Sequence, residues 1–196
     1  MIIDKQLNLV IPILRGDQTQ LYVHSTPIRP ETFETYYLVL SKTWSAIMAN
    51  GLDARSAPSM AALMLKDVAK NTPRAPGVSW FDGPDGVGGE AGLLAEMARL
   101  SNAIVPTPDK GWTTLPLQAA LDQKLVSDEE AAEVSSQVAF FILCSSRAAP
   151  RVDRDRLVRG QCAIYESQTT YYNATEFANS LKTSTADETT GGKAQP

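Results

Sequence analysis

The chain has 196 residues, with 22 acidic against 18 basic side chains, a formal charge of −4 and 43% hydrophobic residues. That length suffices for one domain with a real core, so no disulfide or metal is needed to hold it together. The acidic balance argues against general nucleic-acid binding. The lack of an apolar run of about 18 residues argues against a membrane-spanning helix.

The opening Met1-Ile2-Ile3-Asp4-Lys5 lacks a basic region followed by an apolar run, so no secretory signal is expected. Leu7, Leu9, Ile11 and Ile13 then alternate with Asn8 and Pro12. Leu21-Tyr22-Val23-His24 resumes the alternation after Arg15-Gly16-Asp17-Gln18. Two alternating runs around a glycine-containing turn predict an antiparallel hairpin over residues 7–25. Pro12 has no N–H to give a ladder and marks an edge or a bulge. A lone hairpin is marginal and must lie against helices. The Arg-Gly-Asp triplet reads as the turn itself, and His24 as a half-exposed strand residue.

From Pro30 to Gly51 the spacing of Phe33, Tyr37, Leu40, Trp44 and Ile47/Met48 traces one helical face. Arg29 before a proline is biased to extended backbone, Pro30 suits the first helical position, and Asn50-Gly51 is a stop. Leu38 and Val39 widen the apolar arc, so the helix is expected to be buried on more than half its circumference. A second helix opens at Ser56-Ala57-Pro58, buries Met60, Leu63, Met64 and Val68, and stops near Asn71-Thr72-Pro73.

Residues 73–92 hold three prolines and six glycines and read as a long loop carrying Trp80 and Phe81. Its Gly-Pro-Asp-Gly-Val-Gly-Gly run has neither the preceding strand nor the Gly-Lys-Ser/Thr ending of a phosphate loop. Asp82 and Asp85 do not have calcium-loop spacing. A third helix is expected from about Glu90 through Leu93, Met97, Leu100 and Ile104, ended by Val105-Pro106-Thr107-Pro108. Gly111-Trp112-Thr113-Thr114-Leu115-Pro116 then leads into a short helix with Leu117, Ala120, Leu121 and Leu125.

Ser127-Asp128-Glu129-Glu130 is a capping box. The helix it starts exposes Glu129, Glu130 and Glu133 and buries Val134, Val138, Phe141 and Ile142. Phe140 to Cys144 is apolar all round and must be enclosed. Arg147, Arg151, Arg154, Arg156 and Arg159 follow, offset by Asp153 and Asp155, and mixed signs favour a solvated face over a nucleic-acid patch. Leu157, Cys162, Ile164 and Tyr165 suggest another helix. Tyr171 and Tyr172 precede a last short helix around Glu176 to Leu181, and from Thr183 the composition predicts disorder. Cys144 and Cys162 both read as buried thiols of a cytoplasmic protein.

The expected architecture is therefore mainly α within the α+β class. One globular domain spans 1–182, with the hairpin at 7–25 and helices from about 30 to 181, and 183–196 forms a tail. Chemistry is sparse. With one histidine and no clustered cysteines there is no metal shell. No Gly-x-Ser-x-Gly elbow is present. Carboxylates sit on caps and wet faces, not among apolar residues. These features favour a binding or assembly protein with no cofactor over an enzyme, with a carboxylate-only site assembled by the fold as the alternative.

Several stretches carry a resemblance. Ile11-Pro12-Ile13, Tyr22-Val23-His24-Ser25-Thr26-Pro27-Ile28, and Phe33-Glu34-x-Tyr36 to Ser41-Lys42-Thr43 come first. Gly111-Trp112-x-Thr114-x-Pro116-Leu117, Gln168-Thr169-Thr170 and Thr175-Glu176-Phe177-Ala178-x-Ser180-Leu181 follow in the same order. Together they resemble the tail assembly chaperones of long-tailed, lambda-like siphophages. The resemblance implies a late protein in the cytoplasm of the bacterial host. It would bind the tape measure protein, keep it soluble, help recruit tail-tube subunits and be absent from the mature virion, with self-association open. In the lambda-type system a ribosomal frameshift near the end of the gene gives an extended product, and Gly192-Lys193 fits a slippery codon pair.

Such a chaperone would shield amphipathic helices in an apolar groove. Candidate contacts are Trp80, Phe81, Tyr171 and Tyr172, since aromatic residues are enriched in binding hot spots. Two other classes stay open: a virion structural component at the head–tail connector or tail tube, and a small phage enzyme or host-takeover factor built around His24 or the arginines.

Overall fold

The computed structural model describes residues 2–3, 8–16, 18–52, 56–73, 92–107, 111–146, 152, 173–179 and 181. Within them the chain is α+β. An antiparallel sheet is built from β1 (Ile2–Ile3), β2 (Leu9–Arg15), β3 (Gln18–Ser25), β4 (Ser101–Thr107) and β5 (Gly111–Pro116), in that spatial order. The helices are α1 (Pro30–Ala49), α2 (Ala57–Lys70), α3 (Leu93–Arg99), α4 (Leu117–Asp122) and α5 (Asp128–Ser145). Residues 174–179 and Leu181 are also helical.

The N-terminal hairpin forms as its alternation predicts. Val10 pairs with His24 and Ile11 with Val23, and Gly16 turns the chain at φ +67°. The irregularity lies one residue beyond Pro12, where the register shifts between Ile13 and Leu14. The hairpin is only part of the sheet. The helix expected through Ile104 stops at Arg99, and Ser101–Thr107 becomes a strand that pairs Ala103 with Val23 and Ile104 with Tyr22. Residues 111–116, read as a lead-in to a helix, add β5 on its far side. Short apolar runs fit either period, and here the unpaired edge of β3 decides the matter. Ser101 makes the switch locally: its Oγ donates to the Met97 carbonyl at 2.8 Å and lies 3.0 Å from Ser25 Oγ.

The two faces of the sheet bury different partners. Leu9, Ile11, Ile13, Leu21, Val23, Ala103 and Val105 face the main helical layer. Val10 and Ile104, with Tyr22 and Trp112 beside them, face the other way and are covered by Ala174, Phe177 and Ala178. Phe177 meets Tyr22 edge-on with ring centroids 5.0 Å apart, and Tyr22 lies 5.5 Å from Trp112. Asn173 starts this last segment by accepting the Glu176 N–H on Oδ1 at 2.9 Å. His24 shares the second face and is 1% exposed, not half-exposed as its strand position suggests, because this face too is covered.

α1 keeps its expected boundaries, with extended Arg29 before Pro30, and Asn50 then Gly51 (φ +67°) at its end. Its burial is narrower than expected. Phe33, Tyr36, Val39, Leu40, Thr43, Trp44 and Ile47 are buried, whereas Tyr37, Leu38 and Met48 are exposed. The segment enclosed on all sides is the second half of α5, where every residue from Val138 to Cys144 is buried. α2 is rotated relative to its expected face. It buries Ala57, Ala61, Ala62, Leu65 and Ala69, leaves Met64 and Val68 half-buried, and exposes Met60 and Leu63. Small side chains are selected where α2 lies close against α5 and α1. No helix among the described residues is long and apolar enough to cross a membrane.

Candidate functional site

The expected capping box fixes the start of α5. Ser127 Oγ accepts the Glu130 N–H at 3.2 Å, and Glu130 Oε2 accepts the Ser127 N–H at 2.8 Å. The helix therefore begins at Asp128 and presents its first two turns toward α2, α3 and α4. Between these four helices runs an open groove of about 530 Å³.

The groove is apolar at its base and charged at its rim. Val138 of α5, Met97 of α3 and Leu117 of α4 line it and are buried, with Leu121 half-buried beside them. Ala131 and Ala132 of α5 leave the cleft open because they carry only a methyl group. On the opposite wall Ala62 is buried, while Leu63 is 57% exposed. Lys66 on α2 and Asp128 and Glu133 on α5 are exposed lining residues.

Ser136 ties the two long walls together. It is buried, and its Oγ accepts the Ala62 N–H at 3.1 Å and donates to the Ser59 carbonyl at 2.9 Å. Its single proton is spent on the Ser59 carbonyl and one lone pair on the Ala62 N–H, so it ties α2 to α5 and has no proton left to donate to a ligand. A second cavity of about 230 Å³ lies between β2 and α5, lined by Ile11–Leu14 and Glu130, and it shares Glu133 and Val134 with the groove. Arg15 bonds Glu130 beside it, and this guanidinium, with the Ser127 N–H, holds the Glu130 carboxyl down at about 2.

The groove offers mainly apolar surface, with Lys66, Asp128 and Glu133 as its charged groups. Among the described residues no three His, Cys, Asp or Glu side chains gather where they could hold a metal ion. Cys144 is buried, and burial pushes its thiol well above the usual range, so it is not a poised nucleophile. Trp80, Phe81, Tyr171 and Tyr172, the contacts suggested by the sequence, lie outside the described residues, as do Cys162 and the five arginines between 147 and 159. The groove was missed in the sequence because Leu63 sits at helical spacing with Met60, Met64 and Val68 and reads as core. The available signal was the second apolar stripe of α2, made of alanines. Comparison with protein-family models, with curated sequences and with solved structures gives no match.

Proposed function

We propose that this chain is an assembly protein that shields amphipathic helices of another polypeptide, acting as the tail assembly chaperone of a long-tailed phage. The observation that carries the reading is the groove between α2, α3, α4 and α5, whose base is apolar and whose wall leaves Leu63 57% exposed. A helix laying its apolar face there removes nonpolar surface from water on both partners. Covering the 57% of Leu63 that is exposed is worth roughly 1–2 kcal/mol, a little over half of what burying a fully exposed leucine gives. The groove supplies binding without a reacting group, which suits a chaperone that must release its client.

The client in this reading is the tape measure protein, whose long helices have no partner before the tail tube forms, and tail-tube subunits follow it. The order of sequence stretches from Ile11-Pro12-Ile13 to Ser180-Leu181 supports the phage assignment. The chaperone works in the host cytoplasm, stays out of the mature virion, and has a frameshift-extended form if the codons for Gly192-Lys193 slip.

Co-expression tests the proposal. The intact chain should raise the soluble fraction of the tape measure protein from the same phage, and Leu63→Glu should remove the effect while circular dichroism shows an unchanged fold. Equal solubility with and without the chain would overturn the proposal, as would finding the chain stoichiometrically in purified particles.

A further inference from the structure

The groove is not electrically neutral, and its charges are placed by wall. Lys66 stands on the α2 wall, while Asp128 and Glu133 stand on the α5 wall, leaving the lining with one net negative charge. All three side chains are exposed at the rim, and the base between them is apolar. We infer that the groove selects an amphipathic helix carrying lysine or arginine along the flank that faces α5. This rests on the groove being the helix-binding site proposed above.

Three features support a helix with that flank over other occupants. The cleft is bounded by helices on each side, so its base offers hydrophobic surface along a line, as a ridge of side chains at i, i+3, i+4 and i+7 requires. Ser136 and Ser101, the buried hydroxyls in the lining, donate their protons to the Ser59 and Met97 carbonyls, so neither has a proton free to anchor a small polar ligand. The rim charges sit where a helix's flanking positions would lie, and opposite charges there act across a partly desolvated boundary. Such rim pairs set orientation and partner choice more than total affinity. An acidic flank would bring like charges together beside Asp128 and Glu133.

Two synthetic helices of about 20 residues, long enough to fold alone, test this. They share one leucine-and-alanine apolar face, and the probe flank carries lysine in one and glutamate in the other. Fluorescence anisotropy against the full chain should show the lysine helix binding about tenfold more tightly at low salt, with the gap closing near 0.5 M salt. Glu133→Lys should reverse the order of the two peptides. Leu63→Glu should weaken both. Equal binding of the two peptides by the intact chain, both lost in Leu63→Glu, would overturn the charge selection and leave the groove as the binding site. Binding of both peptides that is unaffected by Leu63→Glu would overturn the groove itself. Reversal by Glu133→Lys in a variant that keeps its melting temperature supports the inference directly.

Discussion

Arg15, at the end of β2, grips Glu130 in the first turn of α5 through two parallel bonds of 2.8 Å, Nε to Oε1 and Nη2 to Oε2. The same Nη2 also donates to the Leu125 carbonyl at 2.7 Å. Glu130 thus does two things at once: it closes the capping box on Ser127 and fastens the helix to the sheet. The arrangement explains why Glu130, read from sequence as solvated, is half-buried. A bidentate pair of this geometry is stronger than a typical surface ion pair.

Glu130→Gln keeps one acceptor for the cap, but it removes the charge and replaces the second oxygen with an NH2 that cannot accept from Arg15. It should cost about 1 kcal/mol at neutral pH, because Arg15 is partly solvated and the pair is screened. The folded carboxyl titrates at about 2, and an unfolded glutamate at about 4.3. The stabilisation is therefore complete above the unfolded value and is lost as pH falls through the folded one. Thermal melts of both proteins across this range should converge near the acid end; a constant gap would show that the charge is not the cause.

Ser136→Ala removes the hydroxyl that joins the Ala62 N–H to the Ser59 carbonyl. The expected loss is about 1–2 kcal/mol in denaturant titrations, since the partners on α2 keep only their helical bonds. Amide exchange in the first turns of α2 should quicken more than in α1. Uniform quickening through both helices would point to a general loss of packing.

Phe177→Ala tests the second face of the sheet. Among the described residues, a small apolar cluster packs the C-terminal helical segment there. The substitution should release that segment locally, with a cost of roughly 3 kcal/mol confined to it and the main helical layer still folded. Amides of residues 174–179 should then exchange freely and tryptophan emission should shift to the red as Trp112 is uncovered. Cooperative unfolding of the whole chain would show that both sheet faces form one unit.

Cys144 should be inert in the folded chain. In a Cys162→Ser background, a thiol reagent at about pH 8 should label the protein only after denaturant is added, because burial both shields the sulfur and disfavours its thiolate. Rapid labelling without denaturant would contradict the enclosure of α5.

The features legible in the sequence are those with local chemistry of their own. Pro30 and Asn50-Gly51 bound α1, Ser127 and Glu130 start α5, and Gly16 turns the first hairpin. Each depends on neighbours a few residues away. β4 was not legible, because Ile104 and Val105 satisfy a helix continuing from Met97 as well as a strand; the deciding contact, Ala103 to Val23, crosses most of the N-terminal half. Tyr22 and Phe177 are farther apart still, and nothing beside either residue marks the other as its partner. The groove failed to register for a related reason. Leu63 and the alanines of α2 both trace apolar stripes, and only the nearness of α5 determines which stripe turns inward.

Those alanines have a consequence for the molecule's tolerance of change. Ala57, Ala61 and Ala69 are buried against neighbouring helices and line no part of the groove. They act as shims: their size sets how far α2 stands from the helices beside it, and so how wide the cleft opens on its other side. Enlarging one of them forces displacement of packed elements at a cost of roughly 1–3 kcal/mol. The width of the groove can therefore be retuned by residues that do not line it, which makes the narrowest side chains of the second helix the calipers of that surface.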